Sequence, residues 1–195
     1  MPTGVALRDP RQQLFDAAER VLLRDGATGL TSRAVTAEAG VAKGVLHRHF
    51  ADFDAFLAAL VLDRIAWVEA QATALRREAG TGTVADNLTG ALMTLFEPVM
   101  VAIVVLVITR DELRLRLRAA GAARLPLVGE GAAMIAGYLT AERDLGRIAP
   151  DADIDMLAPT LVGAAHLSFT EWKGSTPDPE VVRKIVTAVL AGVTR

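Results

Sequence analysis

Apolar positions along this chain recur at three- and four-residue intervals and almost nowhere at every second residue. In residues 11–24 they fall at Leu14, Ala18, Val21 and Leu22, one face of a helix, and Asp25-Gly26 follows as a stop. Thr31 stands where an N-cap belongs, so a second helix is expected through Ala39, with Gly40 placed to take the left-handed conformation that ends it. Val41 and Ala42 turn the chain, and residues 43–49 make a third short helix. A long fourth helix is expected over residues 53–78, with Phe56, Leu57, Leu60, Ile65, Val68 and Ala72 on its face, until Gly80-Thr81-Gly82 breaks it. Further helices are expected over 84–96, 99–109 after Pro98, 112–120, 129–145, 154–172 and 178–193. Residues 99–108 are valine-rich enough for a strand, but no partner strand exists in the pattern. The fold class is therefore all-α, with a small head at residues 1–52 and a larger helical body at 53–195.

The head holds an anomaly. In A-G-V-A-K-G-V-L-H-R-H-F, residues 39–50, Gly44 opens a helix although glycine costs roughly 1 kcal/mol there against alanine. Cations then gather at Lys43, His47, Arg48 and His49, with no acid between Glu38 and Asp52. Two short helices joined by a tight turn, the second carrying cations, form a helix-turn-helix. Such a unit lays its second helix in the major groove while surrounding side chains hold phosphates. Leu30, Val35, Val41, Leu46 and Phe50 would pack on Leu14, Ala18 and Val21 to set the angle.

The stretch L-T-S-R-A-V-T-A-E-A-G-V-A-K-G-V-L-H-R-H-F, residues 30–50, resembles the DNA-binding signature of the TetR (tetracycline repressor) family. The likeness includes the upstream helix ending at Asp25-Gly26, the Thr31 start, A-G-V-x-K-G and the terminal Phe50. It implies a homodimeric, ligand-responsive transcriptional regulator, usually a repressor, binding a palindromic double-stranded DNA operator and released by a small-molecule effector. It also implies DNA contacts from Thr31, Ser32, Arg33, Ala42, Lys43, Gly44, Val45, His47, Arg48 and His49. Lys43 would hold a phosphate, with Thr31 and His47 beside it, and Val45 and His49 would face the bases. Three positions depart from the family pattern. Ala42 replaces a serine that caps the recognition helix, at about 1 kcal/mol. His47 replaces a tyrosine. Asp52 and Asp54 stand where a lysine commonly begins the fourth helix. These departures keep open a second reading, a helical ligand-binding or interaction module without DNA binding.

Composition narrows the classes. The chain has 195 residues and a net charge of −2, but residues 1–52 carry seven Lys/Arg against six Asp/Glu, so the head is the less acidic part. Cysteine is absent, which excludes disulfides, thiolate nucleophiles and cysteine zinc sites. The N-terminus shows no basic segment followed by an apolar core, and the apolar run at 99–108 is half a membrane span; a soluble cytoplasmic protein is expected. His47 and His49, two apart, cannot chelate one metal from a helix. The acidic run at 151–155 imitates a calcium loop but has Met156 at its sixth position and Val162 at its twelfth. No nucleophile elbow or phosphate loop occurs, so neither an enzyme, a metal nor a cofactor is expected.

In the body, Trp67, Met93, Phe96, Met100, Met134, Tyr138, His166 and Phe169 are the large or adaptable side chains suited to line an effector pocket. The scarcity of polar groups among them suggests a largely hydrophobic ligand. Leu157, Leu161, Ala165 and Phe169 form one stripe of the penultimate helix, and Val182, Ile185, Val186 and Val189 one of the last. Stripes this wide need cover on two sides, and the family resemblance implies that they meet their twins in a four-helix dimer interface.

Overall fold

The computed structural model describes residues 9–171 and 178–194, and these are helical apart from turns and one isolated antiparallel bridge, Ile148 to Thr194. Helix α1 (Pro10–Gly29) starts where the Asp9 carboxylate accepts from the Arg11 amide at 2.9 Å and Pro10 fixes the first φ. It breaks at Gly26, whose φ of +71° fulfils the expected stop. Helix α2 (Ser32–Glu38) is capped as anticipated: the Thr31 hydroxyl accepts from the Ala34 amide at 3.2 Å, and Gly40 lies at φ +67°. Helix α3 (Gly44–His49) has no side-chain cap, and its N-cap position falls on Lys43 rather than on Ala42.

Leu14, Ala18, Val21, Leu30, Val35 and Leu46 are completely buried, and Val41 packs half-buried against them. Phe15, Phe50 and Phe56 form a three-ring knot with centroids 5.1 to 6.0 Å apart. Because Phe56 belongs to α4 (Phe53–Arg77), the knot that closes the head also fastens it to the body.

The body comprises α4, α5 (Val84–Leu95), α6 (Pro98–Thr109), α7 (Asp111–Ala119), α8 (Val128–Asp144), α9 (Ile154–Glu171) and α10 (Pro179–Val189). Helix α4 packs on α8 and α7, α8 on α9, and α10 on both α5 and α9, while α6 lies against α1 of the head. The valine-rich stretch is α6, not a strand. A helix satisfies its own backbone groups, whereas a lone strand would leave them unpaired. Met100, Ile103, Val104, Leu106 and Val107 face inward. Among the described residues no single helix is long and apolar enough to cross a membrane; α5 and α6 qualify only as a pair, and they are bent by 57°.

The last helix was expected to reach residue 193 but stops at Val189, because the chain turns and the Val193 carbonyl accepts from the Ala149 amide at 2.7 Å. The expected end of the preceding helix, at residue 172, lies outside the described residues.

A second junction joins head and body. Arg116 of α7 pairs with Asp52 at 3.0 Å, and Arg110 donates to the Leu30 carbonyl at 3.2 Å while lying 3.7 Å from the Asp54 carboxylate and over the Phe53 ring. The two aspartates that departed from the family pattern are thus engaged. Asp52 also caps α4 by accepting from the Ala55 amide at 2.7 Å, and that bond, then Arg116, holds its carboxyl below the usual range.

Candidate nucleic-acid interface and ligand cavity

Helices α2 and α3 bring Thr31, Arg33, Ala42, Lys43, Gly44, His47, Arg48 and His49 to the surface. Among the described residues no carboxylate pairs with Arg33, Lys43 or Arg48, whereas Arg20 and Arg24 of α1 are both taken by Glu38, at 2.8 and 2.7 Å. Those two hydrogen bonds, Arg20 first, hold the Glu38 carboxyl below its usual value. The acid nearest the turn is thereby occupied, and the α3 cations are left to solvent. A Cβ on Gly44 would meet nothing within 4 Å, so packing does not require a glycine there.

Two of the ten expected contact residues are less open. Val45 is half-buried against the head core, and the Ser32 hydroxyl is covered with no hydrogen-bond partner. One cation escaped the sequence reading. The Arg11 guanidinium sits 5.1 Å from the Phe50 ring centroid, beside which His49 also lies. Linear spacing does not announce it, because the contact joins the first turn of α1 to the end of α3.

A cavity of about 300 Å³ opens between α4 and α5, with Met134 of α8 on its wall. Trp67 and Met134 line it as expected. The other six do not. Phe96 and Met100 border a separate, much smaller space with Leu127 and Val104. Met93 is half-buried on α5. His166 and Phe169 form an aromatic cluster with Phe96, centroids 5.6 and 5.1 Å away, because α9 packs on α8 and α10 rather than on α4. Tyr138 is fully buried. Its hydroxyl donates to Glu142 at 2.5 Å and accepts from Asn87 at 3.0 Å, and burial, then the Glu142 bond, push the phenol up. Tyr138 thus reaches the cavity only through Asn87, which lines it. The unforeseen lining includes five polar residues, Gln71, Glu78, Asp86, Asn87 and Thr94, beside Val68, Ala74, Leu75, Gly90, Ala91 and Leu95. Their spacing gives the signal in retrospect, since 67, 71, 74, 75 and 78 share one face of α4 while 86, 87, 90, 91, 94 and 95 share one of α5.

The expected dimer stripes are largely intrachain core. Leu161, Ala165, Phe169, Val182 and Val186 are buried against neighbouring helices of the same chain, while Leu157, Ile185 and Val189 are half-buried. Helix α9 turns outward a different row, Met156, Thr160, Gly163 and Leu167, in which Met156 and Leu167 are 62% and 65% exposed.

Residues 14–60, which span the helix-turn-helix and its junction with α4, match the family model for bacterial regulatory proteins of the tetR family. The head is therefore similar to the DNA-binding head of the tetR family. The likeness of fold extends beyond the head into the helical body. NemR of E. coli, in its reduced form, superposes with a TM-score of 0.74 at 18% identity, covering 96% of this chain and 98% of that one. The fatty acid degradation regulator FadR of Bacillus halodurans gives 0.73 at 18% identity, with 98% and 100% covered. FadR of Bacillus subtilis, in complex with stearoyl-CoA, gives 0.70 at 17% identity, with 93% and 98% covered. A sequence search of curated proteins finds no match. At such identities the likeness carries the TetR fold and not the ligand.

Proposed function

We propose that the chain is a ligand-responsive, homodimeric transcriptional repressor of the cytoplasm, without catalytic activity, that binds a palindromic operator and is released by a small, largely apolar molecule. The observation that carries this reading is the unpaired cationic α3 presented by a TetR head whose base is joined, through α4, to a body with a cavity on that same helix. The eight exposed head residues with Ser32 and Val45 form the DNA-facing surface, and Arg11 extends it. The outward row of α9 supplies the twofold contact in place of the buried stripes. Such symmetry requires an inverted repeat with half-sites about one helical turn, roughly 34 to 36 Å, or a multiple apart.

The test is selection of bound fragments from the source genome by the purified chain, followed by salt-dependent binding to the recovered site. Lys43→Ala should weaken binding to all sequences alike and lower the salt slope by about one unit. Recovery of no common site, with equal affinity for random duplex, would leave a helical ligand-binding module as the better account.

A further inference from the structure

The cavity between α4 and α5 has a polar end and an apolar end. Trp67 and Glu78 are separated by eleven helical residues, roughly 16 Å at 1.5 Å per residue, so they stand at opposite ends of the groove. Near Trp67 the lining is mostly apolar, Val68, Ala91, Leu95 and Met134, with the uncharged polar Gln71 and Thr94 among them. At the other end Glu78 meets Asp86 and Asn87, because the turn at residues 80–82 folds α5 back along α4.

The polar end is rich in acceptors. Asn87 donates its amide to the Thr81 carbonyl at 3.0 Å and to the Tyr138 hydroxyl at 3.0 Å, which leaves its Oδ1 as the remaining hydrogen-bonding atom. Asp86 is engaged, with Arg183 at 2.5 Å and the Thr83 hydroxyl at 2.6 Å. Glu78 has no cationic partner among the described residues, and the lining contains no Lys, Arg or His. Of the cations nearby, Arg147 is held by the Gly82 carbonyl at 2.8 Å and by Glu142, and Arg76 and Arg77 in the last turn of α4 do not line the space. The C-terminus of α4 and the N-terminus of α5 meet here, so their dipoles offset one another and the formal charge of Glu78 decides the sign. An anionic head, such as a carboxylate or phosphate, would find repulsion and no donor cluster.

Resting on the effector reading above, we propose that this groove takes a small amphipathic monocation, an apolar chain with an ammonium head, the head at Glu78 and Asn87 and the chain running to Trp67. An aromatic face at the far end accepts apolar carbon, and a 300 Å³ space suits a single-chain molecule rather than a large conjugate.

Three probes share one chain and differ in the head: decylammonium, decanol and decanoate, each titrated below its aggregation limit at pH 7. Trp172→Phe leaves Trp67 as the only indole, and its fluorescence reports binding, checked by calorimetry. Decylammonium should bind most tightly and decanoate most weakly. Glu78→Gln should weaken decylammonium about 1.5- to fivefold, the range for an exposed ion pair, and leave decanol unchanged. Ala91→Phe, which fills the floor, should weaken all three. Equal or tighter binding of decanoate, an unchanged decylammonium affinity in Glu78→Gln that melts like the parent, or full binding by Ala91→Phe would overturn the proposal. Binding is read without DNA, so the two proposals fail separately. A chain that holds decylammonium but recovers no operator supports the groove and sinks the repressor, and one that binds an operator but none of the probes does the reverse.

Discussion

Glu142 offers the sharpest test of how the body is held together. Its carboxylate is completely buried, accepts from the Tyr138 hydroxyl at 2.5 Å and from the Gly80 amide at 3.3 Å, and lies 3.5 Å from Arg147. Glu142→Ala would strand the Tyr138 O–H, a buried donor whose loss costs about 1 to 3 kcal/mol. Breaking a fully buried ion pair costs about 3 to 5 kcal/mol, but Arg147 is about a quarter exposed and keeps the Gly82 carbonyl, so only a fraction of that applies. The expected total is about 2 to 4 kcal/mol, or about 5 to 15 °C in Tm for a chain of this size. Glu142→Gln keeps an acceptor for Tyr138 and should lose about 1 kcal/mol. Urea and thermal unfolding at one fixed protein concentration measure both, since self-association makes Tm depend on concentration. The double variant with Tyr138→Phe should lose at least about 1 kcal/mol less than the sum of the singles. If Glu142→Ala melts within about 0.5 kcal/mol of the parent, or the cycle is additive, the network contributes nothing and the reasoning is refuted.

Gly44→Leu should fold and melt like the parent, because open space surrounds the position, yet lose operator binding in a mobility-shift assay; retained affinity would show that the α3 backbone does not approach the groove. Val186→Glu places a charge in intrachain core and should unfold the chain at every protein concentration. Leu167→Glu should leave circular dichroism intact while light scattering shows monomer, and a persistent dimer would move the interface off α9. Asp52 has a depressed carboxyl, so its stabilisation is present above the ordinary value of 3.8 and is lost as the pH falls from there through the lower folded value. Asp52→Asn should therefore flatten the pH dependence of Tm in that window and change little above it in slope; an unaltered acid limb would remove Asp52 as its source.

The helices were legible because period, caps and stops agreed: Thr31, Gly26 and Gly40 each do in space what their chemistry suggested in sequence. The head was legible for the same reason, since its function lies on two local helices. The cavity was not. Bulk and apolarity point to Phe96, Phe169 and Tyr138 as lining, but all three fill core, as large side chains at helical spacing usually do. Polar Glu78 and Asn87 meet only because α5 folds back on α4, which spacing alone does not reveal. The dimer stripes misled for a related reason. Val182 and Val186 belong to the strongly amphipathic α10, and that signal says only that a face is covered, not by which molecule.

The ion pairs between head and body alter what a salt titration measures. Arg116 with Asp52 and Arg110 with Asp54 are partly exposed, and added electrolyte screens them as it screens DNA. A slope of log affinity against log salt for this chain therefore adds two quantities, the counterions that leave the duplex and the loosening of the seat on which the reading head rests. Taken at face value, it overstates the number of phosphates touched. The same slope measured on a variant lacking both aspartates isolates the first quantity, and the difference between the two slopes is the ionic cost of holding the head in place.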